Sequence, residues 1–424
     1  MAVIKPFKGI RYNTAVAGDI NTLVSPPYDV INDEDRIYYH NLNNYNFVRL
    51  ILGEEFPEDT VDNNRFTRAG NYYKDWIKNK ILVSDEPSIY LYQQDFTLND
   101  KQCIVNGFIV SAKLCEYSEN VILPHENTLA KPKGALEATI ENTQANLDCV
   151  YGLYSDPDNT LNLSVMNKYL NLSPNIDAID KDNNHHRLWC ISDKKDIKAV
   201  CDFMADKQIA IADGHHRYET ALKYRNTVRE KNNPGHELPT DYVMMTIVNI
   251  YEKDLLVLPT HRIINNVDPL LVNTLVLNLE ENFDVIPSKH STLINDMKEN
   301  NAIGLITKNA YYTLKKKDNV KLYMDASIYT KELELTILHT LILDELLGID
   351  KEKLAAQTNV TYTRSFEEAN NLVKFGDAQL AFICNDIPVK SILDIAAQGE
   401  KMPQKATYFY PKLLSGLVTR SFNN

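Results

Sequence analysis

Residues 207–219 read Lys-Gln-Ile-Ala-Ile-Ala-Asp-Gly-His-His-Arg-Tyr-Glu. Residues 207–213 (KQIAIAD) read as a short apolar strand that ends in the turn Asp213-Gly214. From His215 the pattern becomes helical, with Tyr218, Ala221, Leu222 and Val228 on or near one face. Pro234-Gly235 is expected to stop that helix. Residues 241–250 (Asp-Tyr-Val-Met-Met-Thr-Ile-Val-Asn-Ile) then read as a second buried strand. This strand–turn–helix–strand unit, with further alternation of strand-like and helix-like runs on either side, gives the fold class as α/β (α+β mixed).

The turn in that unit is also the strongest chemical signal. Glycine lets the backbone turn tightly or approach a ligand closely. The first amides of a helix point outward, and its dipole favours an anion there. His215, His216 and Arg217 add donors on the first turn, and Asp213 adds a carboxylate able to hold a metal ion or orient a hydroxyl. A phosphate-bearing ligand suits all of these at once. A plain helix start capped by Asp213 reads the same way locally. Adjacent histidines on a helix face different ways, so zinc ligation by both is not expected. A second His-His-Arg run, 185–187, lacks the Asp-Gly turn and reads as a loop.

Further out, a helix is expected from about Glu332 to Leu347, with Leu335, Leu338, Ile342 and Leu346 as its buried stripe. His339 lies on that stripe and reads as a satisfied core histidine. Another helix starts at Ser365, where Ser365-x-x-Glu368 forms a capping box, and ends at Gly376. Seams are expected near 115–125 and 260–290.

The chain has 424 residues, 44% hydrophobic and 24% charged, with a net charge of −12. That length is too great for one ordinary core and predicts two or three packed units. The acidity argues against a nucleic-acid partner and against an anionic membrane surface. The start, MAVIKPFKGIRYN, has no apolar core of a secretory signal, and no apolar run is long enough to span a membrane. Six scattered cysteines (Cys103, Cys115, Cys149, Cys190, Cys201, Cys384) form no Cys-x-x-Cys pair. A cytoplasmic location with reduced thiols is expected.

Four other motifs carry polar chemistry. Leu123-Pro124-His125-Glu126-Asn127-Thr128, followed by Lys131-Pro132-Lys133-Gly134, combines a carboxylate base with phosphate contacts, although a polar surface loop looks similar. Met402–Lys412 (MPQKATYFYPK) places Lys405 and Lys412 around an aromatic run; it reads as two ammonium groups reaching a polyanion, or as a terminal strand packing Tyr408 and Tyr410. Ser25–Ile31 (SPPYDVI) presents Tyr28 and Asp29 from a loop stiffened by prolines. Leu258–Arg262 (LPTHR) is the weakest of the four. The common nucleotide, dinucleotide, hydrolase and metalloprotease signatures are missing.

In this order, these motifs resemble a widespread prokaryotic-type family long filed as a domain of unknown function. The resemblance spans the chain from PFKGIRYN to YFYPK and is carried most specifically by IADGHHRYE and MPQK-x-TYFYPK. That family is related to the ParB-like fold, which also hosts free-serine kinases with an Asp-Gly-His-His-Arg turn. Some of its members resemble pyrophosphate-dependent serine kinases, which make O-phosphoserine from L-serine. The resemblance implies a ParB-like catalytic core (116–265), flanked around a cleft by N-terminal (1–115) and C-terminal (266–424) α/β units. It implies L-serine and pyrophosphate as substrates, and Mg²⁺ as cofactor. Glu126 would be the base on the serine hydroxyl, and Asp213 would assist at the hydroxyl or through the metal. His125, Thr128, Lys133, Gly214, His215, His216, Arg217 and Lys405 would serve the substrate and its phosphates. Where the family continues Pro-Lys-x-Asp-Arg-Leu, this chain reads Pro132-Lys133-Gly134-Ala135-Leu136 and lacks the acid and the arginine. An ATP- or ADP-linked serine kinase and a phosphoserine phosphatase share this chemistry. The competing class is a ParB-like nucleotide-binding switch, against which the acidic charge and the missing basic tail both count.

Overall fold

A computed structural model describes residues 1–126, 131–232 and 235–423. Its contacts divide the chain into two units: residues 1–124, 128–255 and 411–424 form the first, and residues 125–127 and 256–410 the second. Both mix helices with sheets. Among the described residues no helix is long and apolar enough to cross a membrane.

The first unit is built on a nine-stranded sheet. Ile209–Asp213 and Tyr242–Asn249 are strands, and His215–Asn232 is the helix between them. The unit read from sequence is therefore present, but its two strands are not neighbours. Val150–Tyr154 lies between them, antiparallel to Ile209–Asp213 and parallel to Tyr242–Asn249. Gly152 makes that insertion fit, because a Cβ there would sit 2.5 Å from an Ile209 methyl and 2.9 Å from the Met245 sulfur. All eight residues of Tyr242–Asn249 are buried, as a central strand requires. The helix is pinned to the sheet by Tyr218, whose hydroxyl donates to the Cys115 carbonyl (2.7 Å) and accepts from the Cys115 amide (2.9 Å).

The boundary expected at 115/116 falls inside this unit, because Lys101–Lys113 pairs with Tyr242–Asn249 along seven residue pairs of the same sheet. The end of the chain also returns here. Thr419–Ser421 pairs with Gly9–Tyr12 on one side and Ala145–Asn146 on the other. The His185-His186-Arg187 run is strand rather than loop, the start of His185–Ile191. Alternation explains it: His186 points inward, wholly buried between the Tyr92 hydroxyl (2.6 Å) and Asp180 (3.1 Å), while Arg187 pairs outward with Asp95.

The second unit holds a six-stranded antiparallel sheet in the order Phe283–Ser288, Tyr311–Lys316, Ile303–Ile306, Leu380–Ile383, His261–Ile264, Val360–Thr363. The helix Phe366–Phe375 starts on Ser365, whose side chain accepts from the Glu368 amide, and ends on Gly376 at φ +90°. Glu368 does not close the expected box, since its carboxylate takes the Thr363 hydroxyl instead. The helix expected from Glu332 is α-helical over Glu334–Ile337 and then widens to a π-helix over Leu338–Asp344. Nε2 of His339 is buried there without a partner among the described residues, and burial beside Arg262 pushes this histidine down to about 3. It is a neutral core residue, but not a satisfied one.

Candidate functional site

In the first unit the chain delivers Asp213 at the end of its strand and begins a helix two residues later. Gly214 bridges them at φ +86°, a left-handed conformation that favours glycine. A Cβ at Gly214 would meet Arg217 Nε at 2.9 Å, so the missing side chain lets the guanidinium fold back over the turn. Arg217 donates to the Cys149 carbonyl and to Asp213 Oδ2, the latter at 3.3 Å. Lys412 Nζ reaches the same Asp213 oxygen at 3.1 Å. The Arg217 and Lys412 side chains are only 10% and 11% exposed, so this is a largely desolvated ion cluster.

The electrostatics follow from that packing. Burial opposes ionisation of Asp213, yet Lys412 and Arg217 overcome it and hold the carboxyl well below the usual range. Burial likewise works against the Arg217 charge, and Asp213, Asp29, Asp148 and Tyr28 more than restore it. The Ser-Pro-Pro-Tyr-Asp loop thus faces the same guanidinium. Its Tyr28–Val30 segment is a short 3₁₀ turn behind Pro27. His215 is buried at the helix start and His216 half-buried.

A second cluster belongs to the second unit. His125 and Glu126 meet the 402–407 segment: the Met402 amide donates to the His125 carbonyl (2.7 Å), and the Ala406 amide donates to Glu126 Oε1 (3.1 Å). His125 Nε2 lies 2.9 Å from the Thr407 hydroxyl and is wholly buried. Lys405 is exposed, at the left-handed φ of +54°. Such a conformation costs a non-glycine residue about 1–2 kcal/mol. Arg262, fully buried, braces the loop by donating to the Gln404 (3.3 Å) and Lys405 (3.2 Å) carbonyls. The Leu258–Arg262 motif thus serves as a support for this segment.

Of the residues singled out from sequence, Asp213, Gly214, His215, His216 and Arg217 therefore share the turn of the first unit. His125, Glu126 and Lys405 share the cluster of the second. Thr128 lies outside the described residues, and of Lys133 only the backbone, in the helix Lys131–Thr143, is described. Sequence reading set Lys412 beside Lys405 as a pair. The two fall in different units, whose boundary lies at 410/411, and within its own unit Lys412 meets Asp213. Asp148 was missed, having no motif around it. Among the described residues no three His, Cys, Asp or Glu side chains converge as a metal set. Asp213, already paired with two cations, is a poor ligand for a divalent ion.

A family model described as "Protein of unknown function (DUF1015)" matches residues 4–341. No curated protein matches the chain. Among solved structures, a conserved hypothetical protein from Pyrococcus furiosus is 12% identical, with 72% of this chain and 93% of that one covered at a TM-score of 0.37. A free serine kinase in complex with AMP is 13% identical, covering 72% and 87% at a TM-score of 0.38. SbnI with a C-terminal truncation, from Staphylococcus aureus, is 9% identical, covering 70% and 82% at 0.36.

Proposed function

The chain belongs to the family described as a protein of unknown function (DUF1015), and we propose that it is a phosphotransferase that makes O-phospho-L-serine from free L-serine, with pyrophosphate as donor. The observation that carries this reading is the pair of largely buried cations, Arg217 and Lys412, converging on Asp213 at a glycine turn that opens a helix. Phosphoryl transfer asks little covalent help of a protein. It asks for positioning, neutralised charge and a base at the acceptor.

In this reading the serine Oγ forms a bond to one phosphorus of pyrophosphate, the bridging P–O bond breaks, and orthophosphate leaves. Glu126 takes the hydroxyl proton. Asp213, whose basicity its two cations suppress, orients rather than abstracts. His215, His216 and Arg217 of the first unit receive phosphate oxygens; the roles of Glu126 as base and of Lys405 as a further phosphate contact rest on the family resemblance. Arg217 uses two of its five N–H donors on Asp213 and Cys149, which leaves three for a ligand. Mg²⁺ would ride on the phosphates, since among the described residues no three His, Cys, Asp or Glu side chains form a cage for it.

Incubation with L-serine and Mg²⁺ plus pyrophosphate, ATP or ADP, with O-phosphoserine read by mass spectrometry, tests the reading. Product is expected with pyrophosphate. Product with none of the three donors refutes the activity, and product with ATP or ADP alone refutes the donor.

A further inference from the structure

A cavity of about 60 Å³ lies in the first unit, with Asp148, Arg217, Thr220 and Tyr28 on its wall. Ile140 and Leu147 contribute to its apolar side. Among the described residues, two buried polar atoms on this wall have no hydrogen-bond partner: Asp148 Oδ1 and the hydroxyl of Thr220, a residue only 4% exposed. Buried polar atoms are nearly always paired, so two orphans on one cavity mark something that the cavity receives.

The chemistry of the wall says what. Asp148 also accepts from the Ser415 hydroxyl, and Arg217, the cation facing it, spends its described bonds on Asp213 and the Cys149 carbonyl. Burial pushes the Asp148 carboxyl up, with Arg217 only partly offsetting this, so its negative charge is under-compensated. A half-buried carboxylate in that position is relieved by a ligand cation. Beside it, the remaining N–H groups of Arg217 suit a ligand carboxylate. A carboxylate and a guanidinium on one small cavity are complementary to a zwitterion. The volume is far below the roughly 300 Å³ at which sites for drug-sized ligands begin. Such a volume suits an amino acid with a small side chain better than a nucleoside.

We infer that this cavity binds a small α-amino acid, with its ammonium on Asp148 Oδ1 and the Thr220 hydroxyl, and its carboxylate toward Arg217. The inference rests on the proposed phosphotransferase only in naming serine as that amino acid. Because Arg217 borders both the cavity and the Asp213 turn, an acceptor seated here lies one side chain from the anion-binding turn.

The test is binding without any phosphate donor, followed by calorimetry and thermal shift on the full chain. L-Serine and L-alanine are expected to bind the wild type, whereas glycerate and L-lactate, which carry a hydroxyl in place of the ammonium, are not. Asp148→Asn should weaken serine at least 10-fold and leave the KM for pyrophosphate within 2-fold. Its unfolding midpoint without ligand should equal or exceed the wild-type value, since a buried charge is removed. Wild-type protein that binds lactate as well as alanine, or neither amino acid, overturns the inference whatever Asp148→Asn does. So does an Asp148→Asn protein that binds serine normally. If alanine binds through Asp148 and no phosphoserine forms with any donor, the pocket stands and the phosphotransferase reading falls.

Discussion

Replacing Lys412 by methionine removes one of the two cations that hold Asp213 while keeping most of the side-chain volume. The Lys412–Asp213 contact is 3.1 Å, between side chains 11% and 23% exposed. At that distance and an effective dielectric of about 20, the gross attraction is about 5 kcal/mol. Much of it is offset by the hydration both groups give up, and Arg217 at 3.3 Å remains to face the carboxylate. A net loss of about 1–3 kcal/mol is therefore expected at pH 7, below the 3–5 kcal/mol of a buried charge left with no partner. The pH dependence has a definite sign. Asp213 is held below the usual carboxylate range, so its contribution is complete above its unfolded value of about 3.9 and is lost as pH falls toward the folded one. Lys412→Met lifts the folded value toward the unfolded one. The gap between wild type and variant should be constant above about pH 5 and close as pH falls below about 4. Urea unfolding at several pH values measures it, with an unchanged m-value showing that the denatured state is unaltered. A variant within about 0.5 kcal/mol of wild type at pH 7, the ordinary scatter of surface changes, or a gap that widens in acid, refutes the reasoning.

Four further outcomes are expected. Arg217→Ala should raise the KM for pyrophosphate and lower kcat by about 10²–10³, the cost of one transition-state donor, with circular dichroism unchanged; an unfolded variant whose native remnant is fully active would make the arginine structural. Glu126→Gln should lower kcat by about 10²–10⁴ with substrate binding nearly intact, and if Asp213→Asn shows that loss while Glu126→Gln does not, the two roles exchange. Gly214→Ala, strained at φ +86° and pressing on Arg217 Nε, should cost about 1–2 kcal/mol of stability and weaken pyrophosphate binding together with it, an effect absent if the turn has no part in binding. His261 is pushed down to about 4 by burial and by Arg262, and its Nδ1 accepts from the Cys384 amide. The unfolded chain therefore binds the extra proton between about pH 6.5 and 4, this histidine alone lowers stability by about 3 kcal/mol across that window as pH drops, and His261→Gln should lessen the slope, leaving the part that His339 contributes.

What could be read from sequence was what local pattern encodes. The change from apolar run to helical period at Asp213-Gly214 placed a strand, a turn and a helix correctly, and Ser365 and Gly376 marked the two ends of another helix. What could not be read was set by distant pairing. Nothing local says that Val150–Tyr154 slips between the two strands of the 209–249 unit, because strand order depends on which faces bury together across the whole chain. Leu188 onward reads as strand, but that the strand starts already at His185-His186-Arg187 was hidden, because its inward histidine is polar and satisfied by Tyr92 and Asp180, contacts that no hydrophobic alternation records. In the candidate site, Asp213 and Arg217 were legible as parts of one motif, since a strand end, one glycine and the first turn of a helix keep them close together. Lys412, almost two hundred residues away, was visible as a lysine but not as the second cation on Asp213. Asp148 was not visible at all, since its meaning lies in an oxygen left unpartnered on a cavity wall.

The central claim is that this chain moves a phosphoryl group from pyrophosphate to the hydroxyl of free L-serine. Phosphorus NMR of the purified protein with L-serine, pyrophosphate and Mg²⁺ follows donor, product and leaving group in one sample. The account predicts a phosphomonoester signal growing together with an equal amount of orthophosphate as pyrophosphate declines, and no growth when serine is replaced by alanine. Pyrophosphate that stays intact, or that becomes orthophosphate alone at the same rate with or without serine, would contradict it.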